Sequence, residues 1–303
     1  MQSLAFKYFY EVAQRGSLSG AAESLDVAIS AVSRQVNQLE KRVGAALFER
    51  SSRGMQLTAA GQMLLKHVRR VNLETEATFY AIAELNDAAK QPIRVACTQG
   101  VAHDLAPYLM ARFTQRHPET RFSIFVSSAK VATERVATGE SDIAITFSTT
   151  PSEAVEVRYA CSASALAVMS KHHPLAKRKR LQLDEIQRFP LALTDQDTST
   201  YKLYQLACNR TGKWVEPHVL SNHAEALHAY VKHSQAILFA SYTSVAGLLH
   251  DYELVAIPLR NTEMHARVLQ VQVMRGRRLP DAMDEFIELV VQRLKQLMAQ
   301  APH

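Results

Sequence analysis

Apolar positions near the N-terminus recur at helical spacing and predict two helices in succession. Phe6, Phe9, Val12 and Ala13 form one such pattern, which predicts a first helix over about residues 4–14. A second helix follows, with Ser17 as its N-cap and residues 26–28 as its break. The predicted buried side of this second helix consists of Leu18, Ala21, Ala22 and Leu25.

A third predicted helix has one apolar and one polar face. Ser30 can cap it, and it reaches to about residue 42. Its buried stripe is predicted to be Val32, Val36, Leu39 and Val43. Its opposite face carries Ser30, Ser33, Arg34, Asn37, Gln38 and Lys41. Hydroxyls, amides and an arginine in the N-terminal half of a helix suit the major groove of DNA. An ordinary helix pair with a polar outer face is the alternative.

A small hairpin is predicted after Gly44. Residues 51–54 (SSRG) form a turn between two short extended pieces, and Thr58 can cap the next helix. Arg50 and Arg53 lie at the tip of this hairpin, where they can reach phosphate or the minor groove.

The N-terminal region resembles the winged helix-turn-helix of LysR-type transcriptional regulators. The resemblance rests on AAESL at 21–25, AVSRQVNQLE at 31–40, LFER at 47–50 and LTAAG at 57–61. Two positions depart from the usual pattern, since Ile29 and Gly20 stand where polar or basic residues are common. The DNA-contacting residues predicted on this basis are Ser30, Ser33, Arg34, Asn37, Gln38, Arg50 and Arg53.

A long linker helix is predicted from Thr58 to about residue 89, with Gln91 and Pro92 ending it. Its apolar seam alternates by four and three positions along Leu64, Val68, Val71, Thr75, Thr78, Ile82 and Leu85. The same helix of a second chain is the predicted partner, and packing on the chain's own body is the alternative. A dimer of this kind favours a dyad-symmetric DNA site. The family resemblance further implies a tetramer.

The remainder of the chain alternates apolar β-rich runs with helical stretches. The predicted strands are 93–98, 122–126, 142–147, 165–170, 190–194, 236–240 and 268–273. This order predicts mainly parallel α/β sheets in two lobes. Lobe I takes about residues 91–160 and 267–303, and lobe II takes about 161–266. GESDIAI at 139–145, HPLAKRK at 173–179 and a closing helix over 281–298 resemble the LysR effector domain, whose fold is like a periplasmic binding protein.

Ligands of open α/β folds bind at the carboxyl ends of strands, near helix N-termini. This rule selects Thr98, Gln99, Gly100, Val101, Thr146, Phe147, Thr194, Asp195, Thr198 and Ser199 as effector-binding candidates. Phe239 joins them because the segment 231–239 (VKHSQAILF) has no glycine, so its side chains can narrow the pocket. Thr98 and the following amides could hold a carboxylate. Simple helix capping by Thr98 and Ser199 is the alternative.

Charge is concentrated at the N-terminus. The first 70 residues carry ten basic and five acidic residues, whereas the rest carry 25 and 24. A basic N-terminal module on a near-neutral body favours a polyanionic partner. The three cysteines lie far apart without a CxxC motif, which fits a reducing cytoplasm, and a Cys97–Cys161 redox switch is a minor alternative. No signal peptide or membrane span is expected.

No motif of a nucleophilic, metal or nucleotide enzyme is present, so we expect neither catalysis, cofactor nor metal. The predicted architecture is an all-α winged helix-turn-helix (1–60), a linker helix (61–90) and a two-lobed α/β effector domain (91–303). The predicted function is a cytoplasmic transcriptional regulator that binds double-stranded DNA and a small-molecule effector, with RNA polymerase as a further candidate partner. A binding protein or enzyme whose N-terminal helices serve only assembly is the alternative.

Overall fold

The computed structural model describes residues 4–51, 54–84, 92–148 and 155–302. The chain divides into two compact units, Met1–Ala88 and Ala89–His303. Among the described residues, no helix combines the length and the apolar character that a membrane crossing requires.

The described part of the N-terminal unit contains four helices and a two-stranded hairpin. In chain order these are α1 (Leu4–Arg15), α2 (Leu18–Leu25), α3 (Ile29–Val43), β1 (Phe48–Ser51), β2 (Gly54–Leu57) and α4 (Ala59–Glu84). The predicted winged helix-turn-helix is therefore confirmed. Its core joins all four helices to the hairpin, and Phe9, Val32 and Leu47 lie fully buried within it.

Local hydrogen bonds explain where these helices begin and end. The Ser17 hydroxyl accepts from the Gly20 amide at 3.0 Å, and the Thr58 hydroxyl accepts from the Gly61 amide at 3.0 Å, as an N-cap does. Asp26 ends α2 in the left-handed region with φ 51°. A short acidic side chain tolerates that region better than a β-branched one.

Two details of α3 differ from the prediction. The N-cap is Ala28 rather than Ser30, so Ser30 lies exposed in the first turn. Val43 was predicted to be buried but is 46% exposed. It is the last helical residue, and Gly44 (φ 76°) turns the chain directly after it, so the buried stripe ends at Leu39.

The hairpin is held against the helices on both sides. The Glu40 carboxylate of α3 accepts from the amides of Leu47 (2.7 Å) and Phe48 (3.2 Å). The Met55 amide donates to the Gly16 carbonyl at 2.7 Å. Gly54 has φ 104°, and a Cβ there would lie 2.5 Å from the Gly16 oxygen, so only glycine allows this approach.

Helix α4 is described as far as Glu84, and the predicted end at residue 89 and the seam residue Leu85 lie outside the described residues. The first two seam positions, Leu64 and Val68, pack into the core of their own N-terminal unit. This corrects the predicted seam, because these two side chains already pack in the core of their own chain and are not available to a second chain. Thr75 and Thr78 donate back to the carbonyls of Val71 (2.8 Å) and Glu74 (2.9 Å).

The residues described in the C-terminal unit form two five-stranded sheets. The first has the order β4-β3-β5-β12-β6, with β3 (Ile93–Cys97), β4 (Phe122–Val126), β5 (Ile143–Ser148), β6 (Val155–Ser162) and β12 (Val268–Met274). The second has the order β11-β7-β10-β8-β9, with β7 (Ala165–Ser170), β8 (Leu191–Thr194), β9 (Val219–Ser221), β10 (Ile237–Ser241) and β11 (Leu254–Ile257). We call the two lobes built on them lobe I and lobe II, and the predicted two-lobed fold is confirmed.

The sheets are not mainly parallel as predicted, because half of their pairings are antiparallel. In lobe I, β3 pairs parallel with β4 and β5, whereas β12 pairs antiparallel with β5 and β6. In lobe II, β10–β8 and β8–β9 are parallel, whereas β7 pairs antiparallel with β10 and β11. The antiparallel strands flank the two chain crossings between lobes, where the chain reverses direction.

Helices cover both sheets. They are α5 (Gln99–Ala102), α6 (Leu105–Thr114), α7 (Ala129–Ala137), α8 (Leu183–Ile186), α9 (Ser199–Thr211), α10 (Ala224–Lys232), α11 (Tyr242–Val245) and α12 (Asp281–Gln300), with a 3₁₀ turn at Thr262–His265. Helices α6 and α12 pack with the first sheet in one core. Tyr242 and Ala246 at α11 also pack on that core, although the neighbouring strand β10 belongs to lobe II.

A buried ion cluster ties β5 into lobe I. Asp142, which is 1% exposed, accepts from Arg94 (Nη2 to Oδ1, 2.8 Å) and from Arg277 (Nη1 to Oδ1, 2.7 Å). Its burial by itself raises its pKa, but hydrogen bonds from Arg94 and the charges of Arg277 and Arg94 outweigh this and lower the pKa below 3.8. The GESD segment therefore has a structural role in lobe I.

Candidate functional site

The polar face of α3 is open to solvent. Ser30, Arg34, Asn37 and Gln38 are exposed, and Ser33 is half-buried at the base of the same face. Val32 and Val36 hold the other face in the core, so the polar side chains cannot turn inward without unfolding the unit. The helix therefore offers a continuous surface of hydroxyl, amide and guanidinium groups.

Two further features border this face. Ile29, the first residue of α3, is 51% exposed, so an apolar contact is available beside the polar ones. Arg50 lies in β1, where its Cα pairs with that of Met55. Arg53 lies outside the described residues.

A cavity of about 250 Å³ lies between lobes I and II, at the carboxyl ends of several strands. Nine of the eleven predicted effector residues line it: Thr98, Gln99, Gly100, Phe147, Thr194, Asp195, Thr198, Ser199 and Phe239. The strand-end rule thus brings together residues that are far apart in sequence.

Val101 and Thr146 do not line the cavity. Val101 is fully buried in the core of lobe I. Thr146 is 1% exposed in β5, where its Cα pairs with that of Gln270. Successive side chains of a strand point to opposite faces, so when Phe147 meets the cavity Thr146 is directed away from it.

Several lining residues were not predicted. Ser127 and Ser128 directly follow β4, so the strand-end rule could have found them. His228 comes from the middle of α10, and Arg267 comes just before β12 rather than after it. No rule based on strand ends selects the last two, because their positions depend on how the lobes fold together.

Gln99 joins the two lobes across the cavity. Its side-chain oxygen accepts from the Ala224 amide at 2.7 Å, and its side-chain nitrogen donates to the Asn222 carbonyl. Gln99 belongs to lobe I, whereas Asn222 and Ala224 belong to lobe II. One side chain therefore makes two hydrogen bonds that must break if the cleft opens.

Two glycines allow the lobes to approach closely beside the cavity. A Cβ at Gly100 would lie 2.6 Å from the Ser244 hydroxyl, and one at Gly247 would lie 2.2 Å from Asp104 Oδ2. In both places the nearest atom is the end of a side chain, so an added Cβ would displace the Ser244 or Asp104 side chain.

Arg267 is the buried cation of the cavity wall. It is 4% exposed, and it donates to the Ala163 carbonyl (Nε, 2.7 Å) and to the hydroxyls of Ser199 (Nη1, 3.0 Å) and Thr200 (Nη1, 2.7 Å). Its guanidinium lies 4.6 Å from the centre of the Phe147 ring. Burial lowers its pKa from 12.5 to about 10, so it still carries its charge at neutral pH.

His228 of the cavity wall and two cysteines of the first sheet are in their neutral forms at neutral pH. Burial, followed by the charge of His103, lowers the pKa of His228 to about 4. Burial raises the pKa of Cys97 to about 12 and that of Cys161 to about 11, so neither thiol has thiolate character at neutral pH. Among the described residues, no group of three or more metal-ligating side chains lies together.

Family comparisons agree with this arrangement of two units. Residues 4–62 match the family described as "Bacterial regulatory helix-turn-helix protein, lysR family", and residues 86–295 match the "LysR substrate binding domain". The chain belongs to the LysR family of bacterial transcriptional regulators. A chain whose N-terminal helices serve only assembly is therefore not favoured.

Curated relatives of this LysR-type regulator include the "Probable RuBisCO transcriptional regulator" of Synechocystis, which is 28% identical over 92% of this chain and 83% of that protein. The same name belongs to a Porphyra purpurea relative, 28% identical over 80% of this chain and 78% of that protein. Another Synechocystis relative, the "HTH-type transcriptional activator CmpR", is 27% identical over 72% of each chain.

Solved structures share the fold of this regulator. A full-length OxyR variant of Pseudomonas aeruginosa superposes with a TM-score of 0.66 at 18% identity, over 96% of this chain and 94% of that one. Full-length CbnR in complex with its target DNA gives a TM-score of 0.57 at 19% identity, over 96% and 99%. These likenesses extend over both units of the chain.

Proposed function

We propose that this regulator binds double-stranded DNA through α3 and the β1–β2 hairpin, and that a small molecule in the inter-lobe cavity alters transcription. The observation that carries the proposal is the exposed polar face of α3, which lies within the first 70 residues, where ten basic residues face only five acidic ones. The structural neighbour CbnR is described in complex with its target DNA.

Within this proposal the side chains have different tasks. Ser30, Ser33 and Arg34 lie in the first half of α3, which is the part of a recognition helix that meets base edges. Asn37 and Gln38 extend the contact to further bases or phosphates. Arg50 and Arg53 bind backbone phosphates beside the groove.

The effector acts on the contacts that join the lobes. Binding between them favours one separation of the lobes over another, and the effector shifts the populations by its difference in affinity for the two. Gln99 and the pair Ala163 and Arg267 make hydrogen bonds where the two lobes meet, so a change in lobe separation alters these contacts directly. Changed geometry within an assembly then changes DNA bending or contact with RNA polymerase.

The proposed organisation is a DNA-binding region (1–60), a linker helix (61–90) and an effector domain (91–303) in a cytoplasmic homodimer or homotetramer. Dimerisation through α4 would use the part of the seam beyond Val68, since Leu64 and Val68 are occupied within the chain. Two α3 helices in one dimer then meet a dyad-symmetric site.

The deciding experiment is a footprint of the purified protein on the DNA upstream of its own gene, followed by affinity measurements at two salt concentrations. Arg34→Ala should weaken binding by about 10- to 100-fold, as loss of a base contact does. Arg112→Ala, which removes an exposed charge from the C-terminal unit, is the control and should bind like the wild type. Equal affinity of the Arg34→Ala and control variants on a protected site would contradict the role of α3.

A further inference from the structure

Arg267 is a buried positive charge without a negative partner. Among the described residues, no carboxylate lies within ion-pair distance of its guanidinium, whose acceptors are one carbonyl and two hydroxyls. Its Nη2 donates to none of the described residues, and the side chain lines the cavity. A buried charge is costly unless it is paired, so this arrangement leaves room for an anion.

The surroundings add to the positive potential instead of reducing it. The two hydroxyls that Arg267 contacts belong to Ser199 and Thr200, the first residues of the 13-residue helix α9. The first amides of a helix have no intrahelical acceptor, and the helix dipole favours negative charge at this end. A guanidinium at the positive end of a helix is unfavourable by itself and becomes favourable when an anion lies between them.

Two uncharged groups in the wall also lack hydrogen-bond partners. The Thr98 hydroxyl and His228 Nδ1 are buried atoms without a partner among the described residues, and both residues line the cavity. Thr98 comes from lobe I, whereas His228 comes from lobe II. Buried polar atoms in native proteins are normally paired, so two residues of the cavity wall, one from each lobe, keep unused hydrogen-bonding capacity.

We propose that the effector of this regulator is a small monocarboxylic acid with an apolar body, whose carboxylate pairs with Arg267. The inference rests on the proposed effector site and specifies its ligand. One guanidinium matches one negative charge, and Asp195 and Asp197 at the cavity margin oppose a ligand of higher negative charge. Leu227, Leu238 and Phe239 provide the apolar wall for the rest of the molecule.

Size narrows the ligand class further. The cavity of about 250 Å³ is smaller than the usual pocket of roughly 300–1,000 Å³ for drug-sized ligands. Arg267 also lies at a chain crossing, where the Ala163 amide donates to the Arg267 carbonyl at 3.1 Å and Arg267 Nε donates back to the Ala163 carbonyl. A carboxylate bound there would act directly on a segment that joins the two lobes.

The first test uses the unaltered full-length protein and pairs of acids and neutral amides. Calorimetric titration with straight-chain and branched monocarboxylates from acetate to octanoate, and with benzoate, is compared with titration of the corresponding amides. We expect at least one acid to bind about 30-fold or more tightly than its amide, as loss of one partner of a buried charge pair predicts. Phenyl phosphate tests whether the cavity prefers a doubly charged anion, and we expect it to bind more weakly than benzoate. If no acid exceeds its amide, the proposal is wrong.

The second test changes the protein. Arg267→Met should abolish the preference for acid over amide, and Arg267→Lys should retain part of it because it keeps the charge but not the planar fork. Arg260→Met removes an exposed arginine of lobe II and should leave the preference intact. If Arg267→Met does not fold, the acid and amide comparison on the unaltered protein still decides the matter.

DNA binding is measured on the same preparations. A protein that protects its promoter site but prefers amides or phenyl phosphate would keep the regulator function and lose the monocarboxylate assignment. A protein that binds an acid through Arg267 but binds no DNA would keep the monocarboxylate assignment and lose the regulator function. The two failures are therefore distinguishable.

Discussion

The polar face of α3 and the wall of the inter-lobe cavity consist of the same kinds of side chain, but the chain assembles them differently. The α3 face lies within one helix between Ser30 and Gln38 and is exposed. The cavity wall combines segments between Thr98 and Arg267 and faces inward. The first surface suits a long, repetitive polyanion, whereas the second selects one small molecule. Substitutions that affect one unit and spare the other test this contrast.

The largest effect is expected from Asp142→Asn, which should destabilise lobe I and leave the N-terminal unit intact. It leaves Arg94 and the buried Arg277 facing a neutral amide, and loss of one partner of a buried ion pair costs about 3–5 kcal/mol. Thermal unfolding followed by calorimetry gives the change. Asp184→Asn, at an exposed carboxylate, is the control.

This cost should depend on pH in a defined direction. The pKa of Asp142 is lowered in the folded state, so its contribution is complete above its ordinary value of 3.8 and is lost as the pH falls through the lower, folded-state value. The stability difference between wild type and Asp142→Asn should therefore shrink below about pH 4. A difference that grows with acidity would contradict the assignment of the carboxylate as the charged partner.

Gly61→Ala should destabilise the N-terminal unit alone, by about 3 kcal/mol, because overpacking of this kind forces backbone shifts. The added Cβ would lie 2.1 Å from the Leu47 carbonyl oxygen, where the chain before the hairpin meets α4. Gly16→Ala is a matched comparison, since its Cβ would meet nothing within 4 Å and only its φ of 66° causes strain. Hydrogen exchange of the N-terminal amides should show a larger loss for Gly61→Ala.

Gln99→Ala should shift the lobes toward an open arrangement. It removes two hydrogen bonds across the cleft, each contributing about 1 kcal/mol, so the ratio of open to closed molecules should rise by about 10- to 30-fold. Faster hydrogen exchange of the Ala224 amide would report the change. Gln115→Ala, at an exposed glutamine of lobe I, should exchange like the wild type.

The smallest effect separates two serines of the DNA-binding region. Ser17→Ala removes the cap of α2 and should cost about 1 kcal/mol of stability in the N-terminal unit. Ser30→Ala should cost almost no stability, since Ser30 is not a cap, but it should weaken DNA binding. Chemical denaturation and DNA titration of both variants give the comparison. If Ser17→Ala and Ser30→Ala lost the same amount of stability, the conclusion that Ser30 does not cap α3 would be wrong.

The difference between the two sites also explains what could be predicted from sequence. The helix-turn-helix was predictable because caps, breaks and buried stripes are local patterns, and Ser17, Asp26 and Thr58 act as expected. Eight of the nine cavity residues were predictable because strand ends in an α/β fold meet at one edge, whereas Phe239 was selected because its segment lacks glycine. Arg267 and His228 were missed because their positions depend on the chain crossings and on α10, which no local pattern describes.

Strand direction was mispredicted for a related reason. β6, β9 and β11 were not predicted, since β6 is mostly exposed, β9 has three residues and β11 has four. Without β6, the return of β12 into the first sheet could not be recognised as antiparallel. Short strands and mixed exposure leave little periodicity to detect.

The contact between Gly54 and Gly16 has a consequence for how new operator preferences can arise. The hairpin is bonded to the α1–α2 turn through Met55 and to α3 through Glu40, so the hairpin and the proposed DNA-reading helix keep one fixed spacing. A family member with this framework can change its target by exchanging exposed side chains of α3. It cannot do so by moving the hairpin relative to α3, because that would break these hydrogen bonds. Transplanting residues 4–62 as one block should therefore transfer operator preference to another regulator, and grafting the hairpin alone should not.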